Sequence, residues 1–238
     1  MTSPDSSTLW ANYPRTINST GGDVIIELIG PMAVGKSTVA PLVAERLGIA
    51  HYQGQAFHGL NNKPLSAGEQ WVDRLWSVLR NPMLFVSVLS ARGGSQKHRL
   101  SFALNMCRRD RFAALAASSA SGLIESGPVH ALCQEAAWQH RWGERNIASF
   151  AAHIVPADCY VRLSADPVEV TRRLSTREYF PREYVAAHGD WIDRYDDMVN
   201  EMLAELDRPV IEVDADAGPE AVADEVTSRL TTLIDTGN

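Results

Sequence analysis

One run of residues constrains this chain more than any other: Gly30, Pro31, Met32, Ala33, Val34, Gly35, Lys36 and Ser37 fit G-x-x-x-x-G-K-[ST], in the context that pattern requires. Before it, residues 24–29 (VIIELI) form a β-branched apolar run of strand character; after it, Val39, Leu42, Val43 and Leu47 recur at helical spacing. Strand, glycine loop and helix together make a nucleotide-phosphate site. The glycines let the backbone curl so that successive N–H groups face a polyphosphate, and the helix start, Thr38 included, adds about half a positive charge. Lys36 is placed to reach the β- and γ-phosphates of a nucleotide such as ATP, and the Ser37 hydroxyl to take one position on Mg²⁺.

The rest of the chain alternates between strand and helix signals. Short strands are expected at 49–53, 122–125, 158–163 and 209–213. Helices are expected at 66–79, where Ser66 and Glu69 read as a capping box, and at 98–117, 167–176, 190–206 and 219–234. Asp166 precedes Pro167 as a helix cap. This pattern predicts an α/β protein with three α/β/α layers, a parallel sheet and a helical lid. One domain over 22–238 is expected behind a flexible polar leader at 1–21.

With 238 residues and 45% apolar content, the chain can bury one large core. A net charge of −7 argues against nucleic acid as the main partner. Three scattered cysteines fit a reducing cytoplasm and form no zinc site, and no apolar run approaches membrane-spanning length. The expected partner is a small molecule in the cytoplasm; the sequence also allows a homodimer.

Among chemical groups, Glu125 closes a strand expected to lie beside the first, so its carboxylate ends near the phosphates and can hold Mg²⁺ through water or orient the attacking group. Arg173 and Arg177, four residues apart on one helical face, can neutralise the transferred phosphoryl group through their planar forks. Arg172 and Arg182 are weaker candidates for the same work. Arg108 and Arg111 can bind an anionic acceptor, although a salt-bridged helix face reads equally well. Gln55 and His58 can hydrogen-bond a substrate, or belong to an ordinary loop. Asp73, Trp191, Arg194 and Tyr195 are further pocket candidates.

The run DPVEVTRRLSTR from Asp166 to Arg177 resembles the approach to the lid in thymidylate and deoxynucleoside kinases, where arginines close over ATP. The tail from Val210 to Val222 is similar to the last strand and helix of the same enzymes. The segment from Leu104 to Arg111 is similar to a thymidylate kinase helix whose Asp-Arg faces the monophosphate. Residues 54–61 look like a segment of adenylylsulfate and gluconate kinases, but both acids of that segment are glutamines here, Gln53 and Gln55. Deoxynucleoside kinases commonly carry acid-arginine-serine after the third strand, whereas this chain has Glu125, Ser126, Gly127 and Pro128.

The resemblance implies an ATP- and Mg²⁺-dependent phosphotransferase that moves the γ-phosphoryl group to a hydroxyl or phosphate of a nucleoside-like, nucleotide-like or hydroxylated small molecule. Lys36, Glu125, Arg173 and Arg177 then take the catalytic roles, Ser37 and Glu125 hold the metal, and residues 176–187 close over ATP. The alternative is a nucleotide-switched regulatory NTPase with no acceptor. Against it, the chain lacks a D-x-x-G switch and an N-K-x-D reader; Asn62, Lys63 and Pro64 stop short of the acid.

Overall fold

The computed structural model describes residues 24–53, 66–90, 96–119, 121–139, 150–177 and 190–236, with backbone alone for 96–98, 111–119 and 138–139. Its centre is β1 (Ile25–Ile29), every residue of which is buried. A strand covered on both faces needs apolar residues throughout, and IIELI supplies them at all but Glu27. β2 (Ala50–Tyr52), β3 (Gly122–Glu125), β4 (Cys159–Ser164) and β5 (Val210–Asp214) complete a parallel sheet in the order β2-β3-β1-β4-β5. The register pairs Leu28 with Glu125 and Ile29 with Arg162. The strand ends that carry Gly30 and Glu125 therefore lie side by side.

Eight helices accompany the sheet among the described residues. α1 (Lys36–Leu47) packs against the C-terminal helix α8 (Pro219–Thr236), and α5 (Pro128–Gln139) packs against α7 (Trp191–Leu206). α4 (Gln96–Ser119) lies beside α5 and also carries α2 (Ala67–Arg80) and α3 (Pro82–Ser90). α6 (Pro167–Ser175) follows β4. The core contains Trp191, Tyr160, Tyr195, Phe150 and Leu132, all fully buried, each stabilising the fold by roughly 1.5–3 kcal/mol. None of the described helices is long and apolar enough to cross a membrane.

Local signals set the helix starts. The Ser66 side chain accepts from the Glu69 N–H while Glu69 Oε2 accepts from the Ser66 N–H, completing the expected box on α2. Asp166 Oδ1 accepts from the Val168 N–H at 2.8 Å, with Pro167 at the first position of α6. α4 runs two residues further at each end than the expected 98–117.

α2 departs from the usual burial pattern. Five of its apolar residues, Trp71, Val72, Leu75, Trp76 and Leu79, face solvent, while its inward side carries Val78 against the core, buried Ser77 and the Asp73 ion pair to Arg108.

Candidate active site

The loop between β1 and α1 is wrapped by contacts that only small residues allow. Gly30 takes φ 147°, and a Cβ there would stand 2.5 Å from the Leu163 carbonyl oxygen of β4. Ala33 also has a left-handed φ of 67°, and Gly35 caps α1 at φ 116°. α1 starts at Lys36; the Thr38 and Val39 amides donate to the Gly35 carbonyl, and the two amides before them have no carbonyl one turn earlier in the helix to pair with.

Lys36 Nζ lies within that hollow, buried, donating to the carbonyls of Gly30 at 2.6 Å and Pro31 at 2.9 Å. Burial brings its pKa down to about 7; the Glu125 carboxylate opposes that shift and the Arg177 guanidinium adds to it.

Glu125 sits where β3 ends. The Ser37 hydroxyl donates to Glu125 Oε1, and His51 Nε2 of β2 lies 3.4 Å from Oε2. Burial alone would raise this carboxyl's pKa, but the His51 and Ser37 hydrogen bonds and the Lys36 charge outweigh it, and the net shift is downward. Glu125 is therefore a carboxylate at neutral pH, in direct contact with the hydroxyl expected on Mg²⁺. One carboxylate and one hydroxyl, completed by phosphate oxygens and water, is a donor set suited to Mg²⁺. Among the described residues no group of three or more His, Cys, Asp or Glu side chains could hold a metal unaided.

Behind the loop stands a polar cluster of which the sequence reading named Tyr195 alone, as a pocket candidate. The Gly30 N–H donates to Tyr195 Oη at 2.9 Å, and Tyr195 Oη lies 2.9 Å from His130 Nδ1. Tyr195 Oη donates to Nδ1 in the tautomer that carries the imidazole proton on Nε2, and accepts from it in the other. Burial first, then the charges of Lys36 and Arg109, hold the His130 pKa well below its ordinary value. Next to it, buried Glu27 of β1 accepts from the His130 N–H at 2.9 Å, at the start of α5. Burial raises the Glu27 pKa to about 7 against the pull of the His130 and Val129 amides and of Arg109. Gly127 makes this approach feasible: a Cβ there would meet the Glu27 carboxylate at 2.6–2.9 Å. The one signal in the sequence was an acid inside an otherwise apolar central strand.

Two cavities open on the loop. The first, about 400 Å³, is lined by Lys36, Ser37, Glu125, Arg109, Phe102 and Gln134 among others. The second, about 310 Å³, lies between Arg173 of α6 and the Ala215, Ala217 and Pro219 stretch after β5. Ala33, Gly35, Thr38 and Arg177 line both. Arg173 Nε is held by Glu169 at 2.7 Å, and its Nη1 points to the Val34 carbonyl at 3.4 Å. Arg172 pairs with the same Glu169 and lines neither cavity.

On the acceptor side the structure redistributes the expected roles. Arg108 is buried in its ion pair with Asp73 and is absent from the lining of both cavities. Its neighbour Arg109 faces the first cavity and donates through Nη1 to the Ser126 carbonyl. Helical spacing groups residues three or four apart, but which of two adjacent arginines points inward depends on how α4 is rotated, and packing sets that. Trp191 is core, Tyr195 supports the loop from behind, and Arg194 donates to the Ala137 carbonyl, so none of these three lines either cavity. Gln55, His58 and Arg182 lie outside the described residues, as does the expected lid beyond Arg177; Arg111 lies on α4 with only its backbone described.

No protein-family model matches the chain, and no curated protein matches it. Solved structures do match. A deoxyadenosine kinase from M. mycoides with bound dATP superposes with a TM-score of 0.53 at 13% identity, covering 87% of this chain and 99% of that one. The same enzyme with dCMP and dCDP bound gives the same TM-score, identity and coverage. A shikimate kinase from Aquifex aeolicus covers 90% of this chain and 99% of that one at 14% identity, with a TM-score of 0.48. With its five-stranded parallel sheet between helical layers, this chain has the P-loop nucleoside and small-molecule kinase-like fold.

Proposed function

We propose that this protein is an ATP-dependent phosphotransferase whose acceptor is a small molecule bound in the 400 Å³ cavity. The observation that carries this reading is the pair of cavities meeting at one phosphate loop. A nucleotide switch needs one ligand cavity; phosphoryl transfer between two bound molecules needs two, with the phosphates between them. The smaller cavity suits a nucleobase, with apolar Ala215, Ala217, Pro219 and Val222 on one side and the Arg173 guanidinium on the other. Lys36, Arg173 and Arg177 neutralise charge on the transferred group, and Glu125 with Ser37 would hold Mg²⁺, which supplies further charge neutralisation between the phosphates. Glu125, held ionised, can also accept a hydrogen bond from an acceptor hydroxyl.

The acceptor wall favours the nucleoside-like member of the expected acceptors. Gln134 Nε2 and Oε1 and Asn105 Oδ1 are buried without hydrogen-bond partners and belong to residues lining the cavity. A donor and an acceptor on one carboxamide match the paired N–H and C=O of a heterocyclic amide edge, and Phe102 offers a ring face beside them. ATP consumption, measured with and without a panel of nucleosides, nucleoside monophosphates, sugars and hydroxylated metabolites, tests this. Turnover is expected to be slow with ATP alone and much faster with a nucleoside-like acceptor. Fast turnover that no acceptor changes would instead establish the switch-type NTPase.

A further inference from the structure

Gly30, where the phosphate loop leaves β1, is held from behind by a chain of contacts that begins in the larger cavity. His130 of α5 lines that cavity. Its Nδ1 lies 2.9 Å from Tyr195 Oη of α7, and the two rings meet edge to face with 5.8 Å between centroids. Tyr195 Oη accepts from the Gly30 N–H at 2.9 Å, and the Gly30 carbonyl accepts from Lys36 Nζ at 2.6 Å. Hydrogen bonds therefore run unbroken from a cavity wall to the ammonium group of the loop. Each member of the chain is buried. Both ends are also fixed by other contacts. The His130 N–H is held by Glu27, and Gly30 packs so closely on β4 that a Cβ would stand 2.5 Å from the Leu163 carbonyl oxygen. The transfer chemistry assigned above uses neither His130 nor Tyr195.

We propose that His130 and Tyr195 are positioning residues that pass occupation of the acceptor cavity to the phosphate loop, so that acceptor and nucleotide bind cooperatively. This coupling rests on the transferase reading and says how its two cavities communicate. The physical link is the proton on the imidazole. Burial, then the Lys36 and Arg109 charges, keep the ring neutral, and the Gly30 backbone acts on it in the opposite direction. A neutral imidazole has one N–H and one lone pair. What a bound acceptor offers the ring therefore selects the tautomer, and with it the direction of the Nδ1–Oη hydrogen bond. An acceptor oxygen that takes a hydrogen bond from Nε2–H leaves Nδ1 to accept from Tyr195. A hydroxyl that donates is the better acceptor for the Gly30 N–H, because chained hydrogen bonds polarise one another. Gly30 is then held with its carbonyl toward Lys36. By linkage, a nucleotide that orders the loop strengthens acceptor binding by the same factor.

Ile29–Gly30 is the one Ile–Gly pair in the sequence, so labelling with ¹³C-carbonyl isoleucine and ¹⁵N-glycine isolates the Gly30 amide in a carbonyl-filtered spectrum of the full chain. Uridine, thymidine, inosine and guanosine are the probes, since each carries the paired N–H and C=O edge argued for the cavity. At least one should shift the Gly30 amide with no nucleotide present, and should tighten MgADP about fivefold or more in calorimetry. Tyr195→Phe keeps the ring and loses the hydroxyl, and should reduce that coupling to within about twofold. His130→Leu should do the same, while His130→Asn, whose carboxamide reaches the Nδ1 position, should retain most of it. A general loss of stability would not separate Asn from Leu, and urea melts check that each variant is folded. Undiminished coupling in folded Tyr195→Phe would overturn the proposal, as would His130→Asn behaving like His130→Leu. A Gly30 signal that none of the four nucleosides moves would overturn it too, and if one of them still accelerates ATP turnover the transferase reading stands. Coupling without phosphoryl transfer to any of the four would instead remove the transferase reading and leave the communication between cavities in place.

Discussion

Lys36 gives the sharpest test of the site's electrostatics. Buried in the loop, its amine has a pKa of about 7 in place of 10.5, so above neutral pH it is mostly uncharged before any phosphate arrives. A bound polyphosphate replaces the lost solvation with strong opposite charge and draws the proton back. At pH 8 about nine-tenths of the lysines would be neutral, so binding should take up about 0.9 proton per site. The dissociation constant for MgATP should then rise about tenfold per pH unit between pH 7 and 9, with each decade costing about 1.4 kcal/mol, and should be nearly independent of this group below pH 6. Isothermal titration calorimetry in two buffers of different ionisation enthalpy measures both the affinity and the proton count. Lys36→Arg, whose guanidinium stays charged, should flatten the profile above pH 7. An unchanged dissociation constant from pH 7 to 9 with no proton uptake would refute the argument that burial governs this lysine. A steep rise that persists in Lys36→Arg would refute it too.

The Glu27 cluster supports two stability predictions. Gly127→Ala forces a Cβ against a carboxylate pinned by backbone amides and should cost about 2–4 kcal/mol in urea unfolding, but much less in a Glu27→Ala background; additive costs would show that the two sites do not touch. Glu27 also predicts a pH dependence. Its carboxyl pKa is about 7 folded against 4.5 unfolded, so the folded state binds the extra proton, and its contribution is complete below pH 4.5 and lost as pH rises through about 7. Up to about 3 kcal/mol is involved, and Glu27→Gln should remove that slope from a series of urea melts taken between pH 4.5 and 8.

The sequence determined the local part of this protein. Loop residues 30–37, the strands and helices around them, the Ser66–Glu69 box and the Asp166 cap follow from short-range spacing and backbone preference, and each is where the pattern puts it. The adjacency of Glu125 and the phosphate loop was also readable, since parallel strands bring their ends together. Tertiary structure decided what depends on rotation and on long-range approach. Packing of α4 turned Arg109 toward the cavity and left Arg108 to pair with Asp73. Tyr195 reaches Gly30 across 165 positions of chain, and Glu27 meets the start of α5 only because Gly127 lacks a side chain. The stripe on α2 has ordinary helical spacing, and its outward direction goes with the packing of the other side, where Asp73 pairs with Arg108 of α4 and Val78 meets the core. Periodicity fixes which residues share a face, whereas the choice of face that meets the core belongs to the assembled fold.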